Sequence, residues 1–173
     1  NVGMVTANSV NAVISTADAN VTITGASNSF GNISASGSST VNNAFAYTVA
    51  NNVADQHTVP FTITITDNAS NTWNAYVNHV MNAPALAIGT MSVNDATGNG
   101  NGEFDPGETV TINIANLNNG HTASFAATAV LTSTSPFITV NTPSVNLGAI
   151  NPSASANAAF SVTMSPSMQV GSV

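Results

Sequence analysis

The sequence predicts an all-β chain built as two tandem antiparallel β-sandwiches. Three observations carry that expectation. Apolar residues alternate with Thr, Asn and Ser at a period of two, in segments rich in branched and aromatic side chains. Clusters of Asn, Gly, Ser and Pro separate those segments at short intervals. A shift of 117 residues also lays the chain on itself, carrying Asn11-Ala-Val-Ile-Ser-Thr16 onto Thr128-Ala-Val-Leu-Thr-Ser133.

The elements follow in order. In the first copy, Asn11–Thr16, Val21–Ile23 and Phe30–Ile33 overlay Thr128–Ser133, Ile138–Val140 and Leu147–Ile150 without a gap, and Gly3 meets Gly120. After an insertion of two residues, Ala44–Thr48 overlays Ala159–Thr163. Val59, Phe61, Ile63 and Ile65 then alternate with Thr58, Thr62, Thr64 and Thr66. A turn at Asp67–Asn71 leads to Trp73, Ala75, Val77 and Met81, expected to continue the same buried face. Ala83-Pro84-Ala85 marks a boundary, dividing the chain into 1–85 and 86–173. A strand from Leu86 to Val93 enters a Gly/Asn-rich loop, and Val110, Ile112 and Ile114 resume the alternation behind it. With units near the roughly 100 residues of an immunoglobulin-like domain, the expected architecture is two tandem immunoglobulin-like antiparallel β-sandwiches.

The overlay also predicts that both sandwiches are incomplete. The first copy begins at the turn equivalent to Asn119-Gly120 and lacks a counterpart of Thr109–Leu117. The second lacks counterparts of Pro60–Asn82. Open domains of this kind expose apolar core and unpaired strand edges. Their completion is expected from copies of the chain, or from neighbouring domains of a longer one, through strand addition. Separate chains joined in this way would form a head-to-tail filament.

Composition narrows the function classes. The 173 residues contain no Lys or Arg, where average usage would supply roughly 20. With seven acids, three His and a net charge of −7, the chain has no basic patch for phosphate, and nucleic acid and anionic membrane surfaces are excluded as partners. Zero cysteines remove disulfides, thiolate metal sites and a cysteine nucleophile. No apolar run reaches the roughly 18 residues of a membrane-spanning helix, so membrane insertion is not expected. His57, His79 and His121 lie far apart, no Gly-x-Ser-x-Gly elbow exists, and Glu103, Asp105 and Glu108 share one loop rather than facing across a cleft. The chain is therefore read as non-catalytic. Phe45, Tyr47, Trp73 and Tyr76 offer a carbohydrate platform as an alternative, against a core role for Trp73.

The sharpest chemical signal lies between Asp95 and Glu108. In the spacing of a twelve-residue calcium loop, Thr97, Asn99, Asn101, Asp105 and Glu108 supply side-chain oxygens, Glu103 supplies its carbonyl, and Gly102 is the tight-turn glycine. Asp95 stands just outside the frame. A calcium ion held there would stiffen the structure, since no nucleophile or proton-transfer pair lies nearby in sequence. The plainer reading is a Gly/Asn turn that enters a strand through Pro106-Gly107.

The runs Gly98–Ile112, Asn118–Ser124 and Leu131–Pro136 resemble the immunoglobulin-like modules that follow the catalytic domain in gingipain-like cysteine peptidases and occur in other large secreted Bacteroidetes proteins. Asn43–Tyr47, Val59-Pro-Phe61 and Trp73 are similar to the preceding module of that arrangement. The resemblance implies secretion by the type IX route, an extracellular or cell-surface location, and a structural or stalk role as an accessory region of a peptidase or large adhesin. It also implies that the peptidase's catalytic cysteine and histidine belong to another domain.

Overall fold

The computed structural model describes residues 1–168, and among them there is strand, turn and bend but no helix. The fold is an all-β sandwich of antiparallel sheets. The chain separates into two compact units, Asn1–Met81 and Asn82–Val173. This division falls four residues before the expected 85/86 boundary, for a hydrogen-bonding reason. His121 donates its backbone N–H to the Ala83 carbonyl, Asn119 donates to the Ala85 carbonyl, and the Ala85 N–H is received by Asn118 Oδ1. The segment after Met81 is thereby stitched into the second unit.

Unit 1 contains β1 (Ala7–Ser15), β2 (Val21–Gly25), β3 (Ser27–Ile33), β4 (Ala46–Val49), β5 (His57–Thr66) and β6 (Thr72–Met81). They form a four-stranded sheet in the order β3-β1-β5-β6 and a two-stranded sheet of β2 and β4. The two sheets meet over Ile14, Val59, Phe61 and Met81, against which Val21, Ile23, Phe45, Tyr47 and Val49 pack.

Unit 2 contains β7 (Leu86–Asn94), β8 (Thr109–Asn118), β9 (Ala127–Val130), β10 (Ile138–Val140), β11 (Ser144–Gly148) and β12 (Ser155–Met164). Here the four-stranded sheet runs β10-β12-β8-β7, and β9 pairs with β11. Ala158, Phe160 and Val162 of β12 form the centre of the core, with Ile112 and Ile114 of β8, Ala129 of β9 and Leu147 of β11 around them.

The sequence overlay is repeated in strand pairing. β1 pairs with β3 as β9 pairs with β11, and β2 pairs with β4 as β10 pairs with β12. It extends to single dihedrals: Gly31 and Gly148 both have φ near +68°, each at an equivalent register shift where a side chain would be strained. Ser36 and its counterpart Ser153 also share the left-handed region.

The two copies differ in which sheet is extended. β12 has β8 on its far side, whereas β4 pairs with β2 alone among the described residues. Conversely, β1 has β5 beside it, whereas β9 pairs with β11 alone. Burial records the difference. Phe160 is 2% exposed, but its counterpart Phe45 is half-buried; Val10, Ala12 and Ile14 are buried, while Ala127, Ala129 and Leu131 are half-buried.

One expectation about the core needs correction. Phe61 is buried and Ile63 half-buried, but Trp73 and Val77 are 49% and 47% exposed. Their face was correctly inferred, because Phe61 lies opposite Val77 and Ile65 opposite Trp73 in the β5–β6 register. Coverage is what fails: β6 is an edge strand of unit 1, and the two-stranded sheet packs mainly over β1 and the first half of β5. Replacing Phe61 by Ala is therefore expected to cost about 3–5 kcal/mol, whereas Trp73→Ala costs about 1 kcal/mol or less. Urea unfolding of the two variants measures the contrast, and equal losses would contradict the packing described.

Candidate functional site

The Gly/Asn loop is the first candidate. Its chain reverses through side-chain-to-backbone turns: Asn94 Oδ1 receives the Ala96 N–H, Asn99 Oδ1 that of Asn101, and Asn101 Oδ1 that of Glu103. Gly100 and Gly102 take φ near +76° and +83°, which a side chain would strain. The carboxylates then close the loop. Asp105 Oδ2 accepts the Asn99 and Asn101 side-chain amides, each at 2.8 Å. Glu108 accepts the Asn99 N–H at 2.9 Å and the Asp105 N–H at 3.3 Å. Asp95, only 6% exposed, accepts the Gly102 N–H at 3.1 Å. Phe104 anchors the loop on the core of unit 2.

Of the seven residues expected at a calcium site, the structure thus joins Asp95, Asn99, Asn101, Asp105 and Glu108 in one hydrogen-bonded knot. Glu103 enters it through its backbone N–H, and Thr97 Oγ1 turns away to donate to the Thr109 carbonyl. Among the described residues, no group of three or more His, Asp or Glu is arranged to hold a metal ion. In this conformation the oxygens are engaged by N–H donors, so a cation would have to displace the Asn99 and Asn101 amides from Asp105.

The three histidines are dispersed. His57 Nε2 lies 2.6 Å from Asp18 Oδ2, tying the turn between β1 and β2 to the start of β5. The backbone N–H of Asn20 and then the His57 ring hold the Asp18 carboxyl below its ordinary value, as Asn71 does for Asp67. A depressed carboxyl adds stability above its unfolded pKa of 3.8 and loses it as pH falls through the lower folded value, so both turns loosen in strong acid. His79 Nδ1 meets the Tyr47 hydroxyl at 2.7 Å, and Tyr47 stacks at a tilt on Phe61. His121 is exposed next to Gly120. The four aromatic residues do not form a shared platform: Phe45 and Tyr47 pack on the core, while Trp73 and Tyr76 point to opposite faces of β6.

Sequence reasoning missed a buried asparagine. Asn118, fully buried at the end of β8, accepts the Ala85 and Gly120 N–H groups on Oδ1, both at 3.0 Å, and donates through Nδ2 to the Thr122 and Ile150 carbonyls, both at 2.8 Å. A Cβ on Gly120 would lie 2.3 Å from the Ala83 carbonyl oxygen, so only glycine admits this close passage of the chain. The first copy repeats the device. Asn1, the counterpart of Asn118, accepts the Gly3 N–H and donates to the carbonyls of Val5 and Ile33, which correspond to Thr122 and Ile150. Its backbone amine donates to Gly37 O as Asn118 N does to Ala154 O. The signal that could have revealed the device is Asn-x-Gly at the same place in both copies, Asn1-x-Gly3 and Asn118-x-Gly120.

Comparison of the chain with protein-family models, curated proteins and solved structures found no match.

The two asparagines should respond very differently to truncation. Asn118→Ala strands buried N–H and C=O groups and is expected to cost at least about 3 kcal/mol. Asn1→Ala, where water replaces the amide, should stay within about 1 kcal/mol. Thermal unfolding of both variants checks this.

Proposed function

We propose that the chain is a non-catalytic structural module, a stretch of tandem β-sandwich repeats serving as the stalk or accessory region of a secreted or cell-surface bacterial protein, of the kind that gingipain-like peptidases and large adhesins carry. The repeat carries this reading: two successive copies share strand pairings, an asparagine hydrogen-bond set and a glycine dihedral. A structure whose second copy preserves its construction in such detail is suited to serial extension, in which each sandwich is one link. The immunoglobulin-like assignment is supported by strand order. β7-β8-β12-β10 matches the A-B-E-D order of an immunoglobulin sheet when β11 is taken as an added strand beside β9.

A concatemer of the chain pulled from its ends should unfold in discrete steps whose number grows with the number of sandwiches. Saturable glycan binding that is lost in Trp73→Ala, or turnover of a peptide or glycan substrate, would replace this reading with an adhesin or an enzyme.

Calcium belongs to the same proposal as a structural ligand of the loop. Asp95, Asp105 and Glu108 would supply the charge, and Thr97, Asn99, Asn101 and the Glu103 carbonyl neutral oxygens, once the two amides leave Asp105. After metal has been stripped, calcium at 100 times its dissociation constant should add about 2.7 kcal/mol to stability, and Glu108→Gln should remove the response. A melting curve indifferent to calcium and chelator leaves the loop as a hydrogen-bonded turn.

A further inference from the structure

The chain contains the pairs Asn99-Gly100, Asn101-Gly102 and Asn119-Gly120, and an Asn-Gly pair carries a latent reaction. The glycine's backbone nitrogen can attack the asparagine's side-chain carbon and close a five-membered imide, because glycine brings no side chain to hinder the approach. Three obstacles stand in the way: the proton on the attacking nitrogen, the charge that develops on the amide oxygen, and the departure of the amide nitrogen. Protein groups placed against all of them would turn slow ageing into a directed reaction.

At Asn101 each obstacle meets such a group. The attacking N–H, that of Gly102, donates to Asp95 Oδ2 at 3.1 Å, and Asp95 is a carboxylate only 6% exposed. This N–H bond lies in the peptide plane, so a base that holds it leaves free the face of the nitrogen through which Cγ is reached. Asn101 Oδ1 accepts the Glu103 N–H at 2.7 Å, the place of an oxyanion donor. Asn101 Nδ2 lies 2.8 Å from Asp105 Oδ2, which faces the positive charge that gathers as the nitrogen takes up a proton.

The other two pairs lack part of this set. At Asn99 the oxygen is held by the Asn101 N–H and the nitrogen by Asp105, but among the described residues no group accepts the Gly100 N–H. Gly120 donates its N–H to Asn118 Oδ1, an amide oxygen and no base, and is hemmed in by the backbone of Ala83, Pro84 and Ala85.

We propose that Asn101-Gly102 is a self-modification site, at which Asp95 acts as base, the Glu103 N–H as oxyanion donor and Asp105 as partner of the leaving nitrogen. The bond from Gly102 N to Asn101 Cγ forms as the Gly102 proton passes to Asp95. Solvent water relays that proton to Nδ2, the Cγ–Nδ2 bond breaks, and ammonia departs to leave a succinimide. A water molecule then adds to the imide. Breaking the new N–Cγ bond gives aspartate at position 101, and breaking the original peptide C–N bond gives isoaspartate, with the main chain rerouted through Cβ and Cγ. Each chain reacts once, so this is a modification and not turnover. Either product replaces an amide that bonds Asp105 with a carboxylate that repels it, and the knot loosens. The reaction requires no metal and is independent of whether the loop takes calcium.

The full chain is incubated at neutral pH in chelator-treated buffer, and its peptic fragments are sequenced by mass spectrometry, each conversion adding about 1 Da. Asn101 is expected to convert about tenfold or more faster than Asn99 or Asn119 in the folded chain, and faster by the same factor than Asn101 itself in guanidinium chloride. Asp95→Asn, shown to be folded by circular dichroism, should bring Asn101 down to the rate of Asn99. A folded rate at Asn101 equal to or below its unfolded rate overturns the proposal, because the knot would then protect the amide. So does an unchanged rate in folded Asp95→Asn, or equal conversion at Asn99 and Asn101 in the folded chain. Should Asp95→Asn not fold, the comparison of folded with unfolded unaltered chain decides alone.

Discussion

Unit 2 depends on a single uncharged side chain. The Asn118 amide fixes the start of β7 through Ala85, the end of β8 through its own position, the approach to β9 through Gly120 and Thr122, and the entry to β12 through Ile150. All four of its bonds are to backbone groups, so it works as a piece of main chain with a chosen direction. Burying an amide costs several kcal/mol when its bonds are not made. Here they are made, and no buried side-chain N or O among the described residues lacks a partner. The polar interior and the apolar core therefore support the same chain path.

The repeat within the molecule provides its own control for how neighbouring strands create burial. Phe45 and Phe160 occupy equivalent places on equivalent strands, and so do Ile14 and Leu131. What differs is the adjacent strand, and exposure follows it in both directions. At these two pairs of positions, burial follows the presence of the adjacent strand.

Period-two alternation was sufficient to place the strands, because it reflects the local geometry of a pleat. Thr109–Leu117 and Leu86–Val93 agree with β8 and β7 to within a residue. The segments aligned by the self-overlay also share their pairings in the structure. Trp73 shows where such reasoning ends: alternation assigned its face correctly, but whether a face is covered depends on a sheet distant in sequence. The loop shows a related limit. Oxygen spacing from Thr97 to Glu108 was legible, yet the partner of each oxygen depends on loop conformation, and Thr97 turns away. Asn118, just ahead of the Asn119-Gly120 turn, gave no signal of its role because its four partners lie as far away as Ala85 and Ile150.

The neutrality of the Asn118 device has a consequence for how such a protein can grow. An amide carries no proton that titrates near neutral pH and no charge for salt to screen, so the entry to each sandwich is held equally well across ordinary changes of acidity and ionic strength. Duplicating the repeat places no like charges at these entries. The acidic residues added with each copy fall in loops and turns such as 95–108, where water and salt soften their repulsion. A gene encoding such a chain could lengthen by duplication alone, with no compensating substitution required where one repeat begins.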